Sequence, residues 1–313
     1  MKVAVTGGTG VVGTALVAAL VAEGHDVSAL VREGSAPHPD VRPVRGDLLD
    51  PESIDHLTNG AEVVFNVAGV NELCPRRPDI MWQVNVVGTR NVLRSAVRSG
   101  VRRVVHTSSA VTIGEAKGEV GTERTVHGGR HLSHYARTKT EAERLALAFE
   151  GLEVVAVNPS SVQGPGRATG TGKILLASAR GRLRLAVDTV FSLVDIEDCA
   201  RGHILAASRG EPGERYILSG ATLSTARAIE VLELVMGPLP RPTFLPDWVL
   251  PVAGAIGSLL PLPVPVCAES VRVARHGHRL DGSRATRELG LTYTPIEETF
   301  RRTVDWFRES GLL

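Results

Sequence analysis

The chain offers chemistry at Tyr135-Ala136-Arg137-Thr138-Lys139, where a phenol and an ammonium stand four residues apart. Positions i and i+4 share a helix face, so on a helix the two groups point the same way. The segment 133–150 is rich in helix formers, and Ser133 is placed to cap it. A free phenol titrates near pH 10, about three units too high to shuttle protons well at neutrality. A neighbouring ammonium favours the phenolate and fits Tyr135 for acid/base work. Ser109 in Thr107-Ser108-Ser109 follows an apolar run at 101–107, where a hydroxyl can bond a substrate oxygen. Taken alone, Tyr-x-x-x-Lys is usually a solvated helix face. Its order behind Ser109 and a glycine turn gives it weight.

That turn is Thr6-Gly7-Gly8-Thr9-Gly10-Val11-Val12-Gly13, directly after the apolar Val3-Ala4-Val5. Glycines at 7, 10 and 13 allow a tight strand-to-helix turn and close approach of backbone to a pyrophosphate. The helix beginning near Val11 presents free N–H groups and a positive dipole end to phosphate. Together the motifs predict hydride transfer on a dinucleotide.

These groups need a frame. Apolar strands are predicted near 2–6, 26–31, 41–45, 62–67, 101–107 and 153–157, with helices near 11–23, 51–58, 79–99 and 134–149. Such alternation predicts an α/β, Rossmann-type, doubly wound parallel sheet with right-handed crossovers. Ligands then bind at the carboxyl ends of the strands, where the motifs fall. After about 158 the rhythm changes to loops, shorter helices and a strand at 214–218. The expected division is a dinucleotide domain over 1–160, with later segments returning to it, and a substrate lobe over 161–313.

Composition points to one soluble enzyme. The 313 residues are 43% hydrophobic, enough to bury a large core, and the net charge is +1. Mixed charges argue against nucleic acid as a partner. Cys74, Cys199 and Cys267 show no paired or metal-type spacing and read as buried thiols in a reducing compartment. No signal peptide precedes the first strand, so a cytoplasmic location is expected. No run is long and apolar enough to span a membrane.

On these motifs the chain resembles the extended short-chain dehydrogenase/reductase family, within the NAD-dependent epimerase/dehydratase superfamily, over nearly its whole length. Gly7, Gly10 and Gly13 match the family's T-G-x-x-G-x-x-G, and Ser109, Tyr135 and Lys139 match its catalytic set. Asp47, in Gly46-Asp47-Leu48, resembles the acid that holds the adenine amino group, and Val67-Ala68-Gly69 the loop beside the adenosine. Asn85 falls in the family's N-x-x-G-T helix, where it implies support of the helix and of a proton-relay water. Asn158-Pro159 and Gly164-Pro165-Gly166 resemble its substrate loop; 194–198 its V-D-D segment; 281–290 with Pro295 its R-E-L-G signature. The nearest branch is dihydroflavonol-reductase-like and hydroxysteroid-dehydrogenase-like, and includes hopanoid-associated sugar epimerases. The implied cofactor set is Gly7, Thr9, Gly10, Val11, Val12, Gly13, Arg32, Asp47, Leu48, Val67, Ala68, Gly69, Asn85, Thr107, Tyr135, Lys139, Asn158, Pro159 and Ser161.

The end of the second strand bears on the cofactor. NAD-specific relatives place a carboxylate there for the ribose hydroxyls. Here the position reads Val31, followed by Arg32, which can bond a 2′-phosphate. NADP(H) is therefore expected, with NAD(H) as the alternative. Thr9 and Ser35 can add neutral hydrogen bonds. Nucleotide-sugar relatives carry a phosphate-gripping arginine where this chain has Phe191, and an acidic pair where it has Ala110-Val111-Thr112. Asn158 points the other way. The expected reaction is hydride transfer with a carbonyl or secondary alcohol of a fairly apolar small molecule. Sugar or nucleotide-sugar epimerisation or dehydration is the alternative.

The proline-broken stretch 248–266, with Leu245, Trp248, Leu250, Ile256, Leu259 and Leu260, reads as core of the small lobe. An apolar substrate wall or peripheral membrane contact are the other readings. Pro251, Pro261, Pro263 and Pro265 exclude a continuous span. His127, His131 and His134 have helix-face spacing, but Gly128-Gly129 disfavours a helix and no carboxylate completes a ligand pattern, so no metal is expected. Arg272, Arg275 and His276 are an anion site or a solvated face. Apolar residues Trp82, Val86, Val87, Leu93, Leu145, Ala148 and Phe149 suggest a homodimer through two helices, as relatives of this family form.

Overall fold

A computed structural model describes residues 1–259 and 266–313. Strands β1 (Lys2–Thr6), β2 (Asp26–Val31), β3 (Arg42–Arg45), β4 (Val63–Asn66), β5 (Arg103–Thr107), β7 (Glu153–Pro159) and β11 (Arg215–Leu218) form one seven-stranded sheet in the order β11-β7-β5-β4-β1-β2-β3. Every pairing in it is parallel. The order reverses between β1 and β4, which opens a crevice at their carboxyl ends. The fold is the expected doubly wound α/β type.

Helix α1 (Val11–Ala22) and helix α7 (Ile196–Arg209) share one face of this sheet. There Leu16, Val17 and Leu20 pack with Cys199, Leu205 and the strand valines. Helices α2 (Pro51–Thr58), α4 (Thr89–Arg98) and α5 (His134–Leu147) supply the other face. The predicted helix at 79–99 is composite: α3 (Pro78–Trp82), a π-helical segment Gln83–Gly88, then α4. Val86 and Leu93 are buried in the monomer, so they are not available to a partner chain.

The second lobe holds the sheet β12-β10-β8, from Ser161–Gln163 (β8), Val190–Asp195 (β10) and Ala221–Ser224 (β12). It packs with α6 (Thr171–Ala179), α8 (Thr225–Met236) and α11 (Ile296–Glu309). Phe191 on β10 packs into this core. Two-stranded pairs β6 (Val120–Gly121) with β14 (Arg279–Leu280), and β9 (Leu185–Ala186) with β13 (Thr243–Phe244), complete the sheets among the described residues.

Helix α9 (Val249–Leu259) corrects the reading of 248–266 as core. Leu250 is buried, but Trp248 is 75% exposed, and Val252 and Ile256 also face solvent. The helix docks on α10 (Ala268–His276) through Gly254, where a Cβ would come within 2.9 Å of Val271 Cγ2. Too few of its apolar residues fit under that one contact to form a core. Leu260, Pro261, Pro263 and Pro265 lie outside the described residues. No described helix is long and apolar enough to cross a membrane.

The cysteine expectation is also corrected. Cys74 and Cys267 form a disulfide, while Cys199 is buried and free. The partners lie 193 residues apart in the chain, so local spacing carries no trace of the pair. The argument for a reducing compartment from unpaired thiols lapses with it.

Candidate active site

The crevice between β1 and β4 is built by backbone. Gly7 has φ +71°, and a Cβ there would come within 2.6 Å of Ala68 N. A Cβ on Gly13 would sit 2.0 Å from Gly7 O. The turn thus closes on itself and on the loop after β4 with no room for side chains. Gly10 caps α1 with no side-chain hydrogen bond, and the first turn holds no acid. The leading N–H groups of Val11 and Val12 are therefore open to an anion. This cradle fits a dinucleotide pyrophosphate.

A buried polar network runs along the same strand ends. Thr6 Oγ1 donates to Asn66 Oδ1 at 2.8 Å and accepts from Ala68 N at 3.2 Å. Asn66 Nδ2 reaches Thr89 Oγ1 at 3.3 Å and His106 Nδ1 at 3.2 Å. Burial, then the charge of Lys139, holds His106 well below the usual imidazole range, so it is neutral. Thr107 Oγ1 pairs with His203 Nε2 at 2.8 Å, and burial pushes His203 down to about 4. Val67, Ala68 and Gly69 continue this edge.

Helix α5 delivers the phenol and the ammonium. Ser133 caps it by accepting from Ala136 N at 3.0 Å. Lys139 is 4% exposed and donates to Thr107 O at 2.6 Å. Burial pushes it down to about 8, while Glu143 one turn on opposes that shift. Tyr135 is half-buried, and its hydroxyl is held above the usual phenol value by burial, against a hydrogen bond from Ser109 and the charge of Arg167. Ser109 caps the short turn at Ala110–Thr112, accepting from Val111 N at 3.5 Å. Ser109, Tyr135 and Lys139 thus meet at the carboxyl end of β5. Lys139 is not among the charges that move Tyr135 most, contrary to the direct coupling expected from sequence.

Asn85 lies in the π-helical segment, a distortion frequent at functional sites. Its Oδ1 accepts from Val70 N at 2.8 Å, and its Nδ2 donates to Val70 O and Thr138 Oγ1, each at 2.9 Å. It ties the loop after β4 to the start of α5. A Cβ on Gly69 would meet Asn85 Oδ1 at 3.2 Å and Lys139 Nζ at 3.9 Å.

The remaining candidates are spread along the crevice. Asp47 is exposed and its Oδ1 accepts from Leu49 N at 2.9 Å, while Leu48 is buried. Thr9 and Arg32 are exposed at the ends of β1 and β2. Asn158 lies beneath the site: it is fully buried, and its Nδ2 donates to Glu143, to Thr112 Oγ1 at 2.9 Å and to Ser109 O at 3.3 Å. Pro159 ends β7 beside Leu218. Ser161 sits on β8 and bonds Thr171 Oγ1 at 2.7 Å.

Glu143, Arg167 and Glu269 escaped the sequence reading. Glu143 is four residues past Lys139 on the same helix face, a signal that was available. Arg167 follows the Gly164-Pro165-Gly166 loop and is half-buried with its Nε unpartnered. Glu269, at the start of α10, accepts from Cys74 N at 2.8 Å and His134 N at 2.5 Å. It fastens the second lobe to the start of α5. No local signal marks that contact. The histidines at 127 and 131 stack in a loop, with ring centroids 4.6 Å apart, and His134 opens α5.

The family model described as NAD dependent epimerase/dehydratase family matches residues 3–219. The chain belongs to that family. "Sterol demethylase protein B" of Methylococcus capsulatus is 35% identical, covering 100% of both chains. A "putative dihydroflavonol 4-reductase" of Synechocystis is 35% identical over 98% of this chain and 94% of its own. Among solved structures, MoeE5 in complex with UDP-glucuronic acid and NAD matches with TM-score 0.82 and 26% identity, over 99% of this chain and 100% of that one. The family carries enzymes of the extended short-chain dehydrogenase/reductase type acting on CH-OH and C=O with a nicotinamide cofactor. The cradle at Gly7, Gly10 and Gly13 has the form such a cofactor requires.

Proposed function

We propose that this enzyme transfers a hydride between NADP(H) and a carbonyl or secondary alcohol of a fairly apolar small molecule. The observation that carries the reading is the convergence of Ser109, Tyr135 and Lys139 at the end of β5, beside the glycine cradle. The bound nicotinamide would supply or accept the hydride. Ser109 orients the substrate oxygen and stabilises charge developing on it. Tyr135 donates the proton to that oxygen in reduction and removes it in oxidation. Lys139, mostly charged at neutral pH, would hold the nicotinamide ribose. Asn85 keeps the loop after β4 in register with α5. Phe191, packed in the core of the second lobe, offers no charge to a nucleotide diphosphate, and the two relatives named above carry sterol and dihydroflavonol names.

Three features support NADP(H). Val31 is buried at the end of β2, where a carboxylate would be needed for NAD. Arg32 beside it is exposed. Arg45 Nη1 donates to Arg32 O at 3.2 Å and Ser35 O at 3.1 Å, so a second guanidinium braces the same loop. Arg32→Ala should weaken NADPH by about 1.5–3 kcal/mol, the scale of a charged hydrogen bond, and leave NADH nearly unchanged. Fluorescence titration of both cofactors checks this; equal losses, or a wild type preferring NADH, would sink the assignment.

Arg167 favours a second reading, an NAD-dependent sugar or nucleotide-sugar epimerase or dehydratase, because a guanidinium near Tyr135 suits an anionic substrate. The two readings separate on cofactor exchange. A reductase must exchange nucleotide each turnover, so the purified protein should carry little and should oxidise NADPH with an apolar ketone or aldehyde. Stoichiometric NAD released on denaturation, with interconversion of sugar epimers and no net NADPH consumption, would favour the second.

A further inference from the structure

The loop that follows Ser109 meets the C-terminal part of the chain at a small cavity of about 40 Å³. Glu115 from that loop, His276 at the end of α10 and His278 just before β14 line it, with His127 and Arg130. Glu115, His276 and His278 each offer one ligand atom, and these atoms lie within 4.8 Å of one another. Glu115 Oε1 and His278 Nδ1 share a hydrogen bond of 2.6 Å, which an ion would replace, and Oε1 lies 3.7 Å from His276 Nε2. A tetrahedral ion with nitrogen and oxygen ligands at about 2.0–2.2 Å needs neighbouring ligands about 3.3 Å apart, inside this spread.

Two further observations point to a ligand. The Glu115 side chain is 2% exposed, yet its Oε2 is buried without a hydrogen-bond partner, and so is His278 Nε2. Buried polar atoms left unpaired are rare and call for an explanation such as an ion. The backbone also holds the pair of imidazoles in place. Gly277 between them has φ +67°, and a Cβ there would come within 3.0 Å of Val190 O.

We propose that Glu115, His276 and His278 bind a divalent transition-metal ion, zinc by ligand type, with water in the fourth position. The ion fastens the stretch between Ser109 and Glu115 to the α10–β14 junction, and so braces the wall of the candidate active site from the second lobe. Its role is structural: the ion takes no part in hydride transfer. Arg130 is the opposing charge in the lining, and a divalent ion must outweigh it.

The test uses untagged full-length protein, stripped with a chelator and dialysed. Calorimetric titration with Zn²⁺ should show one equivalent bound at about micromolar affinity or tighter. Titration with Co²⁺ should give the visible bands of four-coordinate cobalt without a thiolate charge-transfer band, because Cys74 and Cys267 are joined and Cys199 is buried. His276→Ala combined with His278→Ala should weaken Zn²⁺ by more than about 100-fold, and Glu115→Gln by about 10-fold. Circular dichroism in chelator reports whether each variant is folded. Absence of stoichiometric binding by the wild type, undiminished binding by the folded double variant, or a thiolate–cobalt band would each overturn the proposal.

Discussion

Tyr135→Phe should lower turnover by about 10²–10⁴-fold while leaving fold and cofactor affinity intact. The substitution removes one hydroxyl and keeps the ring, so the packing at the start of α5 survives. What is lost is the proton path to the substrate oxygen. Lys139 cannot replace it, because its ammonium is buried and committed to Thr107 O at 2.6 Å. Ser109 cannot replace it either, since a serine hydroxyl ionises far above neutral pH and serves to orient. Steady-state turnover, a melting curve and a cofactor titration on wild type and variant decide the matter. A variant with unchanged melting and near-normal turnover would remove Tyr135 as the acid/base group.

The nucleotide half of the fold was legible because its signals are local. An apolar β-branched strand, a glycine turn and a capped helix follow one another within a few residues, and each local preference agrees with the global fold. Ser133 could be read as a cap, and the i, i+4 spacing of Tyr135 and Lys139 as one face, for the same reason. What stayed hidden depends on distant parts of the chain. The Cys74–Cys267 disulfide joins segments 193 residues apart. Glu115 lies more than half the chain from the two histidines it meets. Asn158 was read from motif position as part of the substrate loop. Its side chain is instead claimed by Glu143, Thr112 and Ser109 O, partners that no single segment contains. The π-helical segment holds Asn85 in reciprocal bonds with Val70, a partner outside the helix. Apolar character misled at α9, because hydrophobic composition sets the tendency to bury and not the surface available to bury against.

Glu143→Ala should cost about 3 kcal/mol of stability and shift the alkaline limit of activity downward. Its carboxylate accepts from Arg215 Nη1 at 3.0 Å, from Thr112 Oγ1 at 2.9 Å and from Asn158 Nδ2, and the ion pair is only 7% and 18% exposed. Breaking a buried pair leaves an uncompensated charge, worth about 3–5 kcal/mol. The low end applies because Arg215 also donates to Glu123 O and Thr125 O. A chain of this size should then melt about 4–5 °C lower. The second effect runs through Lys139. Burial has already lowered its value from 10.5 to about 8, and Glu143 is the charge that opposes further lowering. Because the folded value lies below the unfolded one, the unfolded chain holds the proton longer, and Lys139 contributes stability that grows as pH rises from about 8 to 10.5. Activity runs the opposite way, since the ammonium is the working form. In the wild type, kcat/KM for ketone reduction should fall above about pH 8, and in the variant the fall should begin at lower pH. Glu143→Gln separates the two effects. It keeps hydrogen bonds to Thr112 or Asn158 and so retains part of the stability, but it lacks the charge and should show the same displaced pH profile. An alanine variant with unchanged melting would mean that Glu143 does not support the fold, and either variant with an unmoved alkaline limb would mean that it does not set the protonation of Lys139.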